Sequence, residues 1–332
     1  MSRRVLLGIV VFLLAAVGLA AAPASSSPMS PQRGTDAALS ADRVLVITTP
    51  ALRWEDLAEH DLPNLEGFLE TSSTALLSLR TIGARTGLGE GYITLGTGNR
   101  ASARSEISGL ALEPHEPFEE GTSADAFERR TGERPTGSVL HLGFPSVVQT
   151  NDRFFYGAEP GSLGTQLAEA GRVGGVVANG DEGLAVDPAS ASDQTPTDPD
   201  DAGEESPSDA PEDDPPAEDE VADADDESAP SNPFVDSDYG RSAALMLVDG
   251  SGQIPVGRVD GLLRADRDAP FGVRLDQDAV MDAVDEVRQS ADVLVVELSD
   301  LDRADTYRRE ADPEAAEALW VDALVDSDRL FG

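Results

Sequence analysis

Short uncharged apolar runs alternate with helical patterns along this chain, and that alternation limits its fold more than any other feature. Val44-Leu45-Val46-Ile47-Thr48 is continuous and rich in β-branched residues, the pattern of a parallel strand covered on both faces. Leu76–Leu79, Ser138–Leu142, Val173–Ala178, Ala243–Val248 and Val293–Leu298 read the same way. Leu62-Pro63-Asn64 opens a helix that runs to Thr71, and helical periodicity covers 123–130, Ser162–Ala170 (ended by Gly171), 276–289 and Pro313–Leu330. Strands and helices in turn predict an α/β fold with a mostly parallel sheet sandwiched by helices. In such folds the chemistry gathers beyond the carboxyl ends of the strands.

The ends of this domain are set by composition. Arg3 and Arg4 precede the apolar run Val5–Ala22, which closes at Ala22-Pro23-Ala24, so residues 1–24 read as a signal peptide or an N-terminal anchor. At 18 residues the run is also at the lower limit for spanning a bilayer. Residues 25–40 read as a disordered linker, 41–184 as the first part of the α/β domain, and 233–332 as its second part. Between those parts, 185–232 is so rich in Pro, Ser, Asp and Glu that it is expected to stay disordered, as an insertion in one domain or a linker between two.

Charge narrows the function. With 24 Lys and Arg against 63 Asp and Glu the formal net charge is −39, which opposes nucleic acids and anionic membranes. Residues 191–230 hold 17 acidic and no basic residues, so −39 + 17 leaves −22 on the rest, consistent with an acidic solvated surface. There is no cysteine, which excludes disulfides, zinc–thiolate sites and a cysteine nucleophile. The N-terminal segment predicts a secreted or cell-envelope protein, which is expected to meet a membrane only through that segment.

The segments at the predicted carboxyl edge are Thr48–Trp54, Arg80–Gly98, Ala178–Glu182 and Leu298–Asp305. Val44–Ile47 followed by Leu52-Arg53-Trp54-Glu55-Asp56-Leu57, Leu62-Pro63-Asn64-Leu65, Tyr92-Ile93-Thr94-Leu95-Gly96-Thr97-Gly98, Leu163–Asn179 and Val293–Asp300 come in an order that resembles the alkaline phosphatase superfamily. The resemblance is to its phosphodiesterase and nucleotide-pyrophosphatase branch, over about 43–180 and 240–332. It implies hydrolysis of phosphate or sulfate esters by a Thr or Ser nucleophile, with divalent metal ions (zinc, or manganese or calcium) neutralising the transferred group. Carried onto this chain, it makes Thr86 the candidate nucleophile, a turn or cap hydroxyl being the plainer reading, and Arg85 the candidate substrate-binding residue. Asp300 becomes a candidate metal ligand, with Asp302 as a further oxygen donor.

The chain also departs from that pattern. Thr49-Pro50 stands where the family places a metal-binding Asp, and Ala304 stands where it places a His four residues after the later Asp. The family's closing Asp-His-Gly strand motif has no counterpart after Pro313–Leu330, as expected of a fragment or of a shortened relative. His60, His115 and His141 have no ligand-like spacing, and His141 reads as a partly buried structural residue. Glu55 and Asp56 read as a solvated helix start, and Trp54 and Trp320 as core anchors. Two functions therefore stand side by side: a metal-dependent ester hydrolase, and a catalytically inactive binding or scaffold protein of the same fold.

Overall fold

A computed structural model describes residues 41–184 and 239–332, apart from Leu76, Ser78, Leu79 and Ala84. Residues 1–24, 25–40 and 185–232, read above as targeting segment, linker and insertion, lie outside the described residues, as does most of the strand expected at Leu76–Leu79. The chain divides between Asp42 and Arg43, and every element named below belongs to the unit from Arg43 onward. Among the described residues no helix is long and apolar enough to cross a membrane.

The main sheet has four strands, β1 (Val44–Thr48), β4 (Gly174–Val177), β6 (Val256–Arg258) and β9 (Val293–Glu297), in the order β1-β9-β4-β6. All three pairings are parallel, with Val46 opposite Val295, Val176 opposite Val295, and Val176 opposite Gly257. A smaller antiparallel sheet joins β2 (Ala111–Leu112), β3 (Val139–His141) and β5 (Gln253–Ile254), and a hairpin pairs β7 (Leu263–Ala265) with β8 (Val273–Leu275). The helices are α1 (Trp54–Glu59), α2 (Pro63–Glu70), α3 (Leu88–Thr97), α4 (Ser105–Ser108), α5 (Ser123–Thr131), α6 (Phe144–Asn151), α7 (Ser162–Glu169), α8 (Gln277–Val287), α9 (Asp300–Tyr307) and α10 (Pro313–Arg329).

The sheet separates two apolar layers. On one face Val176 and Val295 pack with Ile93 of α3, Val147 of α6 and the buried run Ala243–Val248. On the other, Val177, Leu294 and Val296 pack with Val280, Ala283 and Val287 of α8. A third cluster, Leu62, Leu65, Leu301, Trp320 and Leu324, ties α2, α9 and α10 together. β1 is an edge strand, and Leu45 is 55% exposed although its neighbour Leu294 is 3% exposed.

Four expectations are corrected. Ala243–Val248 is not a strand: Ser242–Met246 forms a 3-10 helix, with Leu247 N–H donating to Ala244 O at 3.1 Å. Its carbonyls lie against two helices at glycines, where a Cβ on Gly96 would come within 2.7 Å of Met246 O and one on Gly164 within 2.4 Å of Leu247 O. A fully buried apolar run carries no periodicity that separates strand from helix. Asp56 is not a solvated helix start: it is buried, accepting from Arg53 N–H at 2.8 Å and from Trp320 Nε1–H at 3.1 Å. Trp320 is a core residue, whereas Trp54 is 56% exposed. Ser138–Leu142 does form a strand, Val139–His141, but in the antiparallel sheet.

The described segments on either side of residues 185–238 meet. Gly180 and Gly240 pack backbone to backbone, so that a Cβ on Gly240 would meet Gly180 O at 2.2 Å, and Gly240 N–H donates to Asp181 Oδ1 at 2.9 Å. β4 before this stretch and β6 after it are hydrogen-bonded neighbours.

Candidate functional site at the carboxyl edge

The carboxyl ends of β1, β9 and β4 present Thr48, Glu297 and the segment Ala178–Asp181. The buried groups gathered there are almost all ionic. Asp181 and Glu116 hold the guanidinium of Arg241, with Nη2 to Asp181 Oδ2 and Nη1 to Glu116 Oε2 both at 2.7 Å. Arg241 is 1% exposed, and its bonds to Asp181 and to Ala111 O join β4's end to the β2 region. Burial works against its charge, but Asp181 and Glu116 outweigh that and hold its pKa above the ordinary arginine value. For Glu116 burial prevails over Arg241, and its carboxyl is pushed up.

A second guanidinium, Arg303 in the first turn of α9, donates to Asp300 Oδ1 at 2.6 Å and to Asn179 O at 3.0 Å. Leu275 N–H also donates to Asp300 Oδ1, at 3.0 Å. Asp300, a candidate metal ligand, is thus buried and bound to an arginine and a backbone amide. Asp302 is half-buried, and desolvation raises its pKa although Arg303 opposes the shift.

Glu297 is the exception among these groups. It is 1% exposed, and neither carboxyl oxygen has a hydrogen-bond partner among the described residues. Tyr92 of α3 borders it, with its hydroxyl also 2.7 Å from Thr48 Oγ1. A Cβ on Gly180 would stand 3.5 Å from Glu297 Oε1, so the β4 end closes the pocket around the carboxyl with bare backbone. Burial pushes the Glu297 carboxyl up to about 8, with the neighbouring Asp302 and Asp181 adding to the rise and Tyr92 and Arg303 opposing it. Tyr92 is raised as well, chiefly by burial and then by Glu297. Counted together, Glu116, Asp181, Glu297, Asp300 and Asp302 face only Arg241 and Arg303. Both cations are already paired with Glu116, Asp181 and Asp300, which leaves Glu297 and Asp302 without an ion pair among the described residues.

Thr86 and Arg85 are both exposed on the loop that enters α3. Thr86 Oγ1 lies 3.3 Å from Thr81 Oγ1, which donates to Glu90 Oε2 at 2.9 Å, and Ser102 donates to the other oxygen of Glu90 at 3.2 Å. Thr86 is therefore part of a hydroxyl–carboxylate group at the start of α3, while Asp302 stands beside Glu297 and Tyr92 at the sheet edge. Among the described residues no group of three or more histidine, aspartate or glutamate side chains is arranged to hold a metal ion. His141 is fully buried, with Nε2 3.1 Å from Ser108 O and Nδ1 without a partner, and burial lowers its pKa to about 4. The expected partly buried histidine is thus fully buried, with one ring nitrogen unpartnered among the described residues.

Sequence reasoning passed over Glu297, Tyr92, Arg241 and Asp181. Glu297 did carry a signal, since it ends a run of four apolar residues, Val293–Val296, that requires burial on both faces. Nothing near Arg241 in sequence marks it, because its partners lie 60 and 125 residues away. Comparison of the chain with protein-family models, with curated proteins and with solved structures finds no match.

Proposed function

We propose that this chain is an exported, catalytically inactive α/β protein of alkaline phosphatase-like fold that serves in the cell envelope or outside the cell as a binding or assembly domain. The observation that carries the reading is the state of Asp300. The position the resemblance assigns to a metal ligand accepts from Arg303 at 2.6 Å and from Leu275 N–H, so its negative charge is matched from inside the protein. The end of β1 supports the same reading, because Thr49 and Pro50 supply no anionic ligand. Export rests on Arg3, Arg4 and the apolar run Val5–Ala22.

The hydrolase reading keeps one supporting feature, the exposed Thr86 beside Arg85 at the start of α3. Turnover separates the two. Purified full-length chain is assayed with bis(p-nitrophenyl) phosphate and p-nitrophenyl sulfate in the presence of zinc, manganese or calcium. The scaffold reading expects the buffer rate for wild type and for Thr86→Ala alike. Metal-dependent turnover that Thr86→Ala abolishes overturns it. Fractionation of expressing cells tests export, and recovery of the chain in the cytoplasm contradicts it.

A further inference from the structure

β1 ends the main sheet on one side, and its outer edge is open. Val44 N–H donates to Asp292 O and Leu298 N–H donates to Thr48 O, both at 2.8 Å, so Val44, Val46 and Thr48 turn their backbone groups to β9. The N–H and C=O of Leu45 and Ile47 therefore point the other way. Among the described residues no strand pairs with that side. Val44, Leu45 and Ile47 are 44, 55 and 36% exposed, and Leu77, in the segment after α2, is 69% exposed rather than laid over them. Edge strands are commonly blunted by a charge, a proline or a bulge. Val44–Thr48 has none of these, and the chain carries no charge from Val44 to Leu52 although it holds 63 acidic residues.

This edge is complementary to itself. A two-fold axis at Val46 sets two copies of β1 antiparallel, with Leu45 of one opposite Ile47 of the other. Those are the residues whose backbone groups point outward, so each opposed pair exchanges N–H···O bonds in both directions, and Val46 of one copy meets Val46 of the other between them. The side chains agree with this register. Leu45 and Ile47 lie on the same face as Leu294 and Val296, which α8 covers while leaving β1 bare, so the apolar pair of one copy is laid against that of the other. Charge agrees as well. The antiparallel arrangement carries Arg43 toward the carboxyl edge of the other copy, where Glu297 and Asp302 have no ion pair among the described residues, and the strands themselves bring no carboxylate between two chains of net −39. From the open apolar edge, its matching register and this exchange of charge, we infer that β1 is the interface of a two-fold dimer in which two four-stranded sheets join edge to edge. A strand of five residues is a small contact, so the dimer is weak and leaves β1 bare at the dilution of an unfolding measurement. For its biological role the dimer rests on the assembly reading above, but ester turnover would leave it standing, so the two tests fail separately.

The chain lacks cysteine, so one introduced thiol reports on one position. In this register the two Val46 Cα atoms stand about 4.5 Å apart, within disulfide reach, whereas the two Leu45 residues lie on a diagonal of about 7–8 Å, beyond it. Full-length Val46→Cys should therefore form a disulfide-linked dimer under mild oxidation, and Leu45→Cys, although the more exposed, should not. Equal linkage, linkage of Leu45→Cys alone, or linkage of neither overturns the inference. Sedimentation of cysteine-free wild type from about 1 μM to about 1 mM should pass from monomer to dimer, while Leu45→Lys, which charges the edge, stays monomeric and melts as the dilute wild type does. A wild-type monomer throughout overturns the inference, and slow amide exchange at Leu45 and Ile47 in that monomer assigns the edge to another segment of the same chain. A dimer that Leu45→Lys leaves intact assigns association to another surface and overturns it too.

Discussion

Glu297 occupies the end of a strand whose other four residues are apolar, and it reaches the carboxyl edge with no cation assigned to it. Its folded-state pKa lies near 8, against 4.5 when unfolded. The folded protein thus binds this proton more tightly than the unfolded chain. The stability that the proton contributes is complete below about pH 4.5 and is lost as pH rises through 8. Melting temperature measured from pH 5 to 9 should therefore fall across that window for this group, and Glu297→Gln, a neutral isostere, should flatten the fall and melt above wild type at pH 9. An unchanged profile in Glu297→Gln would assign the loss to other groups. Arg241 presents the opposite case, a cation balanced on two sides. Arg241→Ala leaves Asp181 and Glu116 buried without their partner and should cost about 3–5 kcal/mol in urea unfolding. A cost below about 1 kcal/mol would mean that water replaces the guanidinium without penalty.

At the scale of elements, β1 and β9 share a register but differ in environment. Leu294 is sealed under α8, whereas Leu45, its partner across the ladder, is more than half exposed. Leu294→Ala should lose about 2–5 kcal/mol, and Leu45→Thr less than about 1 kcal/mol, in the same denaturation measurement. Equal losses would show that β1 is covered in solution. Most elements were legible in the sequence because they carry a period or a boundary signal. Pro63, Gly171 and Pro313 mark helix ends, and β1, β4 and β9 are continuous apolar runs. The elements that escaped lack such signals: α6 is short, α9 begins directly where β9 ends, and Ala243–Val248 is apolar on every side. The site was less legible than the fold for a physical reason. Thr86 and Asp300 were singled out through the family resemblance, whereas the charge around Glu297 is set by Asp302, Arg303 and Asp181, which come together with it only through the fold.

Over the whole molecule, the strongly acidic stretch that separates the two halves in sequence does not separate them in space. Gly180 and Gly240 touch, and the Asp181–Arg241 pair closes the point where the chain leaves and returns. Replacing residues 185–238 by a short Gly-Ser linker should therefore keep unfolding cooperative, with stability changed by no more than about 1 kcal/mol, since lengthening a surface loop costs little. Loss of the cooperative transition would show that the excursion contributes to the core.

On the proposed reading, Arg303 rather than a metal ion meets the charge of Asp300 at the carboxyl edge. Isothermal titration of metal-free full-length chain with zinc and with manganese at pH 7.5 addresses it directly. The account predicts no stoichiometric binding that Asp300→Asn or Asp302→Asn removes. One or more ions bound per chain, and lost in either variant, would contradict it and restore the hydrolase reading.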